Sequence, residues 1–154
     1  MIDGVSPALV HAYSGSAEPL SQSAIKALTF VIARECYWKI ESFDWRGVHR
    51  TYHRCIVTRE EGRFAALIGA DAPILALTTI REDQGWSFFD DASVVTAAAG
   101  YYGPTLNILE AEDLSRDLTE RDREWLRSVN KNMTYDLRYW NPQTVGQVVF
   151  NYWD

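Results

Sequence analysis

Two histidines four positions apart, His49 and His53, are the residues in this sequence whose types are best suited to acid–base chemistry. A neutral imidazole can bind Zn²⁺ or exchange a proton near neutral pH. The surrounding residues favour a β-strand, in which the two imidazoles would share a face but lie about 13 Å apart. That separation excludes a shared metal. Two alternatives remain: acid–base residues of a small hydrolase or nuclease, or hydrogen-bonded side chains of a sheet face.

Arg50, Tyr52 and Arg54 alternate with the histidines and would line the opposite face of the same strand. A basic stripe that contains an aromatic residue can bind phosphate or single-stranded nucleic acid. The net charge of −6 opposes that function, because an acidic chain repels phosphates. Ion pairing across a hairpin is the alternative. The candidate partners are Glu41, Glu60 and Glu61.

Other reactive side chains have structural explanations. Asp90 and Asp91 are adjacent and point in different directions, so we expect them to cap a helix rather than to bind a metal. Cys36 and Cys55 are too few for a disulfide framework and lack metal-ligand spacing, which predicts buried thiols in a reducing compartment. No phosphate-binding loop or nucleophile elbow occurs. The sequence therefore predicts neither a metal site nor a cofactor.

The negative charge is concentrated in the second half of the chain. Residues 1–80 carry eight basic and eight acidic side chains, whereas residues 81–154 carry seven basic and thirteen acidic ones. Such a distribution favours a basic protein partner over a nucleic acid. We expect no membrane association and a cytoplasmic location, because the sequence shows neither a signal peptide nor an apolar run of about 20 residues. The sequence predicts no particular oligomeric state.

Seven carboxylates lie within residues 110–124, and they form either a solvated helix face or a surface for a basic partner. They are Glu110, Glu112, Asp113, Asp117, Glu120, Asp122 and Glu124. If the block binds a partner, we expect five of them to make the contacts: Glu112, Asp113, Asp117, Glu120 and Asp122. Trp45 and Tyr52 complete the predicted binding residues, because exposed aromatic rings give a large contact area at low entropy cost.

The most strongly β-forming stretch runs from about residue 36 to residue 89, and it reads as an antiparallel meander. Turn-forming residues separate the predicted strands. These strands cover residues 36–43, 48–58, 63–69, 74–80 and 86–89, and residues 105–109 form a short edge strand.

Helical periodicity and capping residues predict four helices. Ser21 caps a helix over 21–33, and Asp90 or Asp91 caps one over 92–99. Thr119 and Asp122 form a capping box for a helix over 119–129. The last helix covers residues 143–153. We expect residues 1–19, which are rich in Ser, Gly and Ala, to form a loosely held arm.

These elements predict one α+β domain over residues 1–154, a mainly antiparallel sheet with helices packed on one face and at the C-terminus. We expect the C-terminal aromatic residues to dock on the sheet, because a free tail would not carry them exposed. They are Trp140, Phe150, Tyr152 and Trp153.

The size, the acidity, the aromatic-rich α+β body, the acidic block and the lack of a catalytic motif together resemble the small, acidic, single-domain immunity proteins encoded beside bacterial antibacterial toxins. The closing pattern at 139–142, 144–146 and 150–154 is similar to that of bacterial proteins of unassigned function. The resemblance implies a protein that binds and blocks a cognate basic toxin domain without catalysis or cofactor. The alternatives are a hydrolase or nuclease that uses His49 or His53, and a non-catalytic ligand-binding or scaffold subunit.

Overall fold

The computed structural model of the chain describes residues 2–15, 17–48, 50–60, 62–80 and 85–152. These residues form an α+β fold, as predicted, with seven α-helices and one six-stranded sheet. The helices are Pro7–Tyr13 (α1), Gln22–Cys36 (α2), Ala92–Tyr102 (α3), Ala111–Ser115 (α4), Glu120–Val129 (α5), Met133–Trp140 (α6) and Val145–Val149 (α7). The strands are Lys39–Asp44 (β1), Tyr52–Arg59 (β2), Gly62–Gly69 (β3), Ile74–Thr79 (β4), Phe88–Phe89 (β5) and Asn107–Ile108 (β6).

The sheet is an antiparallel meander in the order β1-β2-β3-β4-β5, and β6 pairs in parallel with β4. Both faces of the central strands are buried. In β3, Ala65 and Leu67 belong to one hydrophobic cluster, and Ala66 and Ile68 belong to the other. Because both faces are covered, β3 reads as a continuous apolar run rather than as an alternating one.

Helices α2 and α3 cover one face of the sheet, whereas α1 and α4–α7 contribute to the cluster on the other face. Ser21 caps α2, as predicted, by accepting a hydrogen bond from the amide of Ala24. The helix continues to Cys36 and ends where Tyr37 adopts a left-handed conformation, with φ of 58°. The prediction that Cys36 begins the first strand was therefore wrong, and β1 begins at Lys39.

The N-terminal segment is packed, and the prediction of a loosely held arm over residues 1–19 was wrong for its helical part. Ser6 caps α1, Pro7 occupies the first helical position, and Leu9 is fully buried. Tyr13 donates a hydrogen bond of 2.8 Å from its hydroxyl to the carbonyl of Val148. The Ser- and Gly-rich composition concealed this helix, because its apolar residues pack on parts of the chain more than a hundred positions away.

The C-terminal region contains more helical segments than expected. Helix α6 lies between the predicted helices 119–129 and 143–153, where no element was predicted, and α7 covers only Val145–Val149 of the predicted 143–153. Thr144 and Gln147 form a capping box for α7, and the chain leaves the helix at Phe150, which is buried. Trp153, which we expected to dock on the sheet, lies outside the described residues.

Candidate partner-binding surface

Asp122 is fully buried at the start of α5, although the sequence placed it on a surface for a partner. Arg116 donates two hydrogen bonds to its carboxylate, of 2.7 Å from Nη1 and 3.0 Å from Nη2. The backbone amide of Thr119 donates to the same carboxylate at 2.9 Å, and the Thr119 hydroxyl accepts from the amide of Asp122 at 3.1 Å; these are the two bonds of the predicted capping box. The backbone amide of Ser6 donates a further bond of 2.9 Å.

Asp113 has a similar structural role beside Asp122. Its carboxylate accepts hydrogen bonds of 2.9 Å from the hydroxyl of Ser6 and from the amide of Ala8. The two aspartates therefore bind the start of α1, where unpaired amide groups favour a negative charge. Burial acts to raise the pKa of Asp122, but hydrogen bonds from Arg116, Thr119 and Ser6 outweigh burial and hold that pKa below its usual range.

The predicted acidic surface is therefore smaller than expected. Asp122 is buried and Asp113 is engaged by α1, so neither carboxylate is available to a partner. Glu112, Asp117 and Glu120 are exposed. Glu120 lies 3.3 Å from Arg127 in an exposed ion pair, which contributes little to stability. These three carboxylates remain candidates for contact with a basic partner.

His53 is buried in β2, and its ring is held by its neighbours. Its Nδ1 accepts a hydrogen bond of 2.9 Å from the backbone amide of Arg46, and the Trp45 ring packs edge-on at 5.2 Å between centroids. Burial, followed by the charges of Arg46 and Arg50, lowers the pKa of His53. The ring is thus a hydrogen-bonded side chain within the sheet, which was one of the two alternatives for His53. His49, the other candidate acid–base residue, lies outside the described residues.

Tyr52 is buried, so its expected role as an exposed binding residue was wrong. Its ring packs edge-on against Trp86 at 5.3 Å and Phe150 at 6.1 Å. Trp45 is partly exposed and stacks on Phe43 with a centroid distance of 5.1 Å. Trp45 thus remains accessible on one side, whereas Tyr52 belongs to the core.

Arg50 and Arg54, the basic residues of the predicted stripe, pair with Asp44, which was not among the predicted partners. Arg50 and Arg54 both contact Asp44, at 2.8 Å and 3.1 Å, and Arg50 makes a second bond to the other carboxylate oxygen at 3.2 Å. Glu41, one of the expected partners, pairs with Arg63 instead, at 2.7 Å. Ion pairing across the strands therefore engages both guanidinium groups.

The other reactive side chains are also engaged or enclosed. Asp91 caps α3, as predicted, and also pairs with Arg59 at 2.7 Å, while Asp90 accepts a hydrogen bond from the amide of Ala111. Cys36 and Cys55 are buried and free. Burial raises the pKa of Cys55 to about 12, so its thiol stays protonated. In the described part of the chain, no three His, Cys, Asp or Glu side chains are grouped so as to hold a metal ion.

A cleft of about 510 Å³ opens between α6 and the segment that precedes β2. This cleft was not predicted from the sequence. Helix α6 gives it an aromatic wall. The rings of Tyr135 and Tyr139 stack with centroids 5.5 Å apart and planes 13° apart, and each residue is 63% exposed. The lining also includes Arg46, Val48, Arg50, Thr51, Asp71, Asp136, Trp140 and Asn151.

Two further exposed residues belong to this surface. Val48 is 93% exposed on the cleft wall opposite α6, and Tyr152, 61% exposed, forms a backbone bridge with Arg50. The spacing of Tyr135 and Tyr139, four residues apart, places both rings on one helix face. That spacing was the available signal in the sequence, but no helix was predicted between residues 129 and 143. We call Val48, Tyr135, Tyr139, Trp140 and Tyr152 the aromatic surface.

Comparisons of the chain with protein-family models, with curated protein sequences and with solved structures give no significant match. Helices that are long and apolar enough to span a membrane do not occur among the described residues.

Proposed function

We propose that this chain is a cytoplasmic immunity protein that binds and neutralises a basic antibacterial toxin domain, as its resemblance to small acidic immunity proteins implies. Binding, rather than catalysis, is the mode of action. The partner contacts the aromatic surface and the exposed carboxylates Glu112, Asp117 and Glu120. Three carboxylates of the acidic block thus remain proposed binding residues. Tyr135 and Tyr139 of α6 take the role that the sequence had suggested for Tyr52.

The exposed tyrosine pair of α6 is the observation that carries the proposal. Tyr135 and Tyr139 stack on each other in solvent, while Met133 and Leu137 supply the buried face of the same helix. The helix therefore does not need the two rings for its own packing. Tyrosine is enriched at protein interfaces and among the residues that dominate binding energy, because its ring gives a large contact area with few rotatable bonds.

The charge of the chain supports a basic partner. The net charge is −6, and the exposed carboxylates of α4 and α5 lie on the half of the chain that holds the excess. Complementary charge raises the association rate of two proteins, and this increase becomes smaller at high salt because ions screen the charges. A basic toxin domain would therefore be attracted to these carboxylates before the tyrosines make close contact.

The direct test is a binding measurement between the purified chain and the C-terminal domain encoded by the neighbouring reading frame. We expect a stable 1:1 complex by size-exclusion chromatography and calorimetry. The double variant Tyr135→Ala/Tyr139→Ala should weaken binding by about a hundredfold or more, the usual effect of removing central aromatic anchors. Tyr101→Ala, at an exposed tyrosine of α3, is the matched control and should bind as the wild type does. Equal affinity of all three proteins would refute the role of the aromatic surface.

Charge reversal at the acidic side should slow association. The triple variant Glu112→Lys/Asp117→Lys/Glu120→Lys should remain folded, since exposed charges contribute about 0–1 kcal/mol each. Its association rate with the toxin domain should fall about tenfold or more at low salt, with a flatter dependence on salt. Stopped-flow fluorescence at several ionic strengths measures both quantities.

A second triple variant separates local charge from net charge. Glu18→Lys/Glu35→Lys/Glu60→Lys changes the net charge by the same amount at exposed positions outside α4 and α5. If this variant slows association as strongly as the first, the acidic side of α4 and α5 has no special role, and only the total charge of the chain matters.

A further inference from the structure

Among the described residues, four charged side chains line the cleft beside α6, and three of them are engaged in ion pairs. Arg46 contacts Asp71, which also lines the cleft, at 3.1 Å. The guanidinium of Arg50 is nine-tenths buried and is bound to Asp44 and to the carbonyl of Trp45, at 2.8 Å from Nη2. Asp136 remains, and among the described residues no cation lies within ion-pair distance of its carboxylate.

Two polar side chains that line the cleft, Thr51 and Asn151, donate hydrogen bonds to backbone carbonyls of α7 rather than to Asp136. The Nδ2 group of Asn151 donates to the carbonyl of Val148 at 2.9 Å, and the hydroxyl of Thr51 donates to the carbonyl of Val149 at 2.9 Å. Asp136 itself is only partly exposed, and burial raises the pKa of its carboxyl group. The carboxylate of Asp136 is therefore partly withdrawn from water, and no cation of the described part of the chain pairs with it.

The aromatic rings of α6 complete the features of a cation site. Tyr135, Tyr139 and Trp140 line the same cleft as Asp136, and the Tyr139 and Trp140 rings meet edge to face at 4.9 Å. The face of an aromatic ring attracts a cation, more strongly where water is partly excluded. A planar guanidinium can stack on such rings and donate two hydrogen bonds to a carboxylate at the same time.

The geometry points to a specific ligand for this cleft: an arginine side chain of the protein partner, bound by the carboxylate of Asp136 and the rings of Tyr135, Tyr139 and Trp140. The inference rests on the proposed function only in taking the partner to be a basic protein. It adds the chemical group that anchors the partner and the residue that recognises its charge.

An entering carboxylate would fit the same cleft poorly. It would meet the unpaired Asp136, and Arg46 is already paired with Asp71. Arg50 has a buried Nε atom without a hydrogen-bond partner among the described residues, but that atom is closed to solvent. A carboxylate would therefore need to displace an existing ion pair, whereas a guanidinium would meet a carboxylate that has no ion-pair partner among the described residues.

The test uses blocked tripeptides and so does not require the toxin. Acetyl-Gly-Arg-Gly-amide should bind the full chain with a dissociation constant in the millimolar range and shift the indole N–H signal of Trp140 in a saturable way by NMR. The citrulline peptide has nearly the same shape without the charge and should bind at least about tenfold more weakly, since charge-assisted hydrogen bonds and cation–π contacts are lost. Equal binding of the two peptides, or no saturable shift with either, would overturn the inference. Tighter binding of acetyl-Gly-Glu-Gly-amide would also overturn it.

The variant Asp136→Asn identifies the recognising group. It should weaken binding of the arginine peptide about tenfold or more while leaving the melting temperature unchanged or higher. Burial raises the pKa of Asp136, which means that its charged form is disfavoured in the folded state. Removing the charge should therefore not lower the stability of the fold at neutral pH. Retained affinity in the folded variant would show that the peptide binds elsewhere. If the peptide binds as expected but no complex forms with the neighbouring gene product, only the proposed function fails.

Discussion

Replacing Asp122 with alanine is expected to lower the free energy of unfolding by about 2–4 kcal/mol, because it removes a helix cap, about 1 kcal/mol, and leaves buried hydrogen-bonding groups without a partner, about 1–3 kcal/mol. The change leaves Arg116 without its bidentate partner and leaves the buried amide of Ser6 without an acceptor. It also removes the capping box of α5. Because the same carboxylate joins α1 to α5, both elements should be affected.

Urea denaturation followed by circular dichroism measures this loss, and Glu112→Ala provides the matched control. Glu112 lies in the same acidic block but is exposed, so its replacement should change stability by about 0.5 kcal/mol or less. Similar small effects of both substitutions would show that Asp122 does not hold the N-terminal helix.

Asp122 also gives the chain a defined dependence on pH. Its pKa is lower in the folded state than in the unfolded state, so the unfolded chain binds more protons in the interval between the two values. Its stabilising contribution is therefore complete above about pH 4 and is lost as the pH falls through the folded-state pKa. We expect the wild type to lose stability below about pH 4 and Asp122→Ala to lose less over the same interval. Parallel stability profiles of the two proteins would contradict the assignment.

Deleting residues 150–154 is expected to leave the chain largely unfolded. Phe150 is fully buried and its ring contacts Tyr52 and Phe88, with centroids 6.1 Å and 6.0 Å away. The backbone of this segment contributes as well, because the carbonyl of Phe150 accepts a hydrogen bond of 2.9 Å from the indole of Trp86. Losing one buried phenylalanine lowers stability by about 3–5 kcal/mol, a large part of the roughly 5–15 kcal/mol available to a domain.

Point variants separate the contributions within this C-terminal segment. Phe150→Ala should lower the free energy of unfolding by about 3–5 kcal/mol, whereas Tyr152→Ala, at an exposed ring, should change it by about 0.5 kcal/mol or less. Thermal denaturation of the deletion and of both point variants checks the comparison. A deletion variant that retained the melting temperature of the wild type would place the segment outside the core.

The parts of the fold that depend on short-range signals could be predicted from the sequence. Ser21 and the pair Thr119 and Asp122 form the expected caps, because a cap is specified within three or four residues. The strands of the meander could also be located, because both faces of β3 and β4 are covered and the strands are almost entirely apolar.

The features that depend on distant partners could not be predicted. The amide of Ser6 meets Asp122 across 116 positions of sequence. The capping position of Asp122 could be predicted locally, but its burial against the N-terminal helix could not. Tyr52 was predicted to be exposed. It is buried because Trp86 and Phe150, which are distant in sequence, pack against its ring. The cleft has walls from α6 and from the segment before β2, so its existence follows from tertiary packing alone.

Rescue of growth in bacteria that express the C-terminal domain of the neighbouring reading frame, the proposed toxin, tests the central claim most directly. Co-expression of the wild-type chain should restore growth, and co-expression of Tyr135→Ala/Tyr139→Ala should not, although immunoblotting should show both proteins accumulating to similar levels. Tyr101→Ala should restore growth as the wild type does. Failure of the accumulated wild-type chain to restore growth would contradict the proposal that this protein neutralises the toxin.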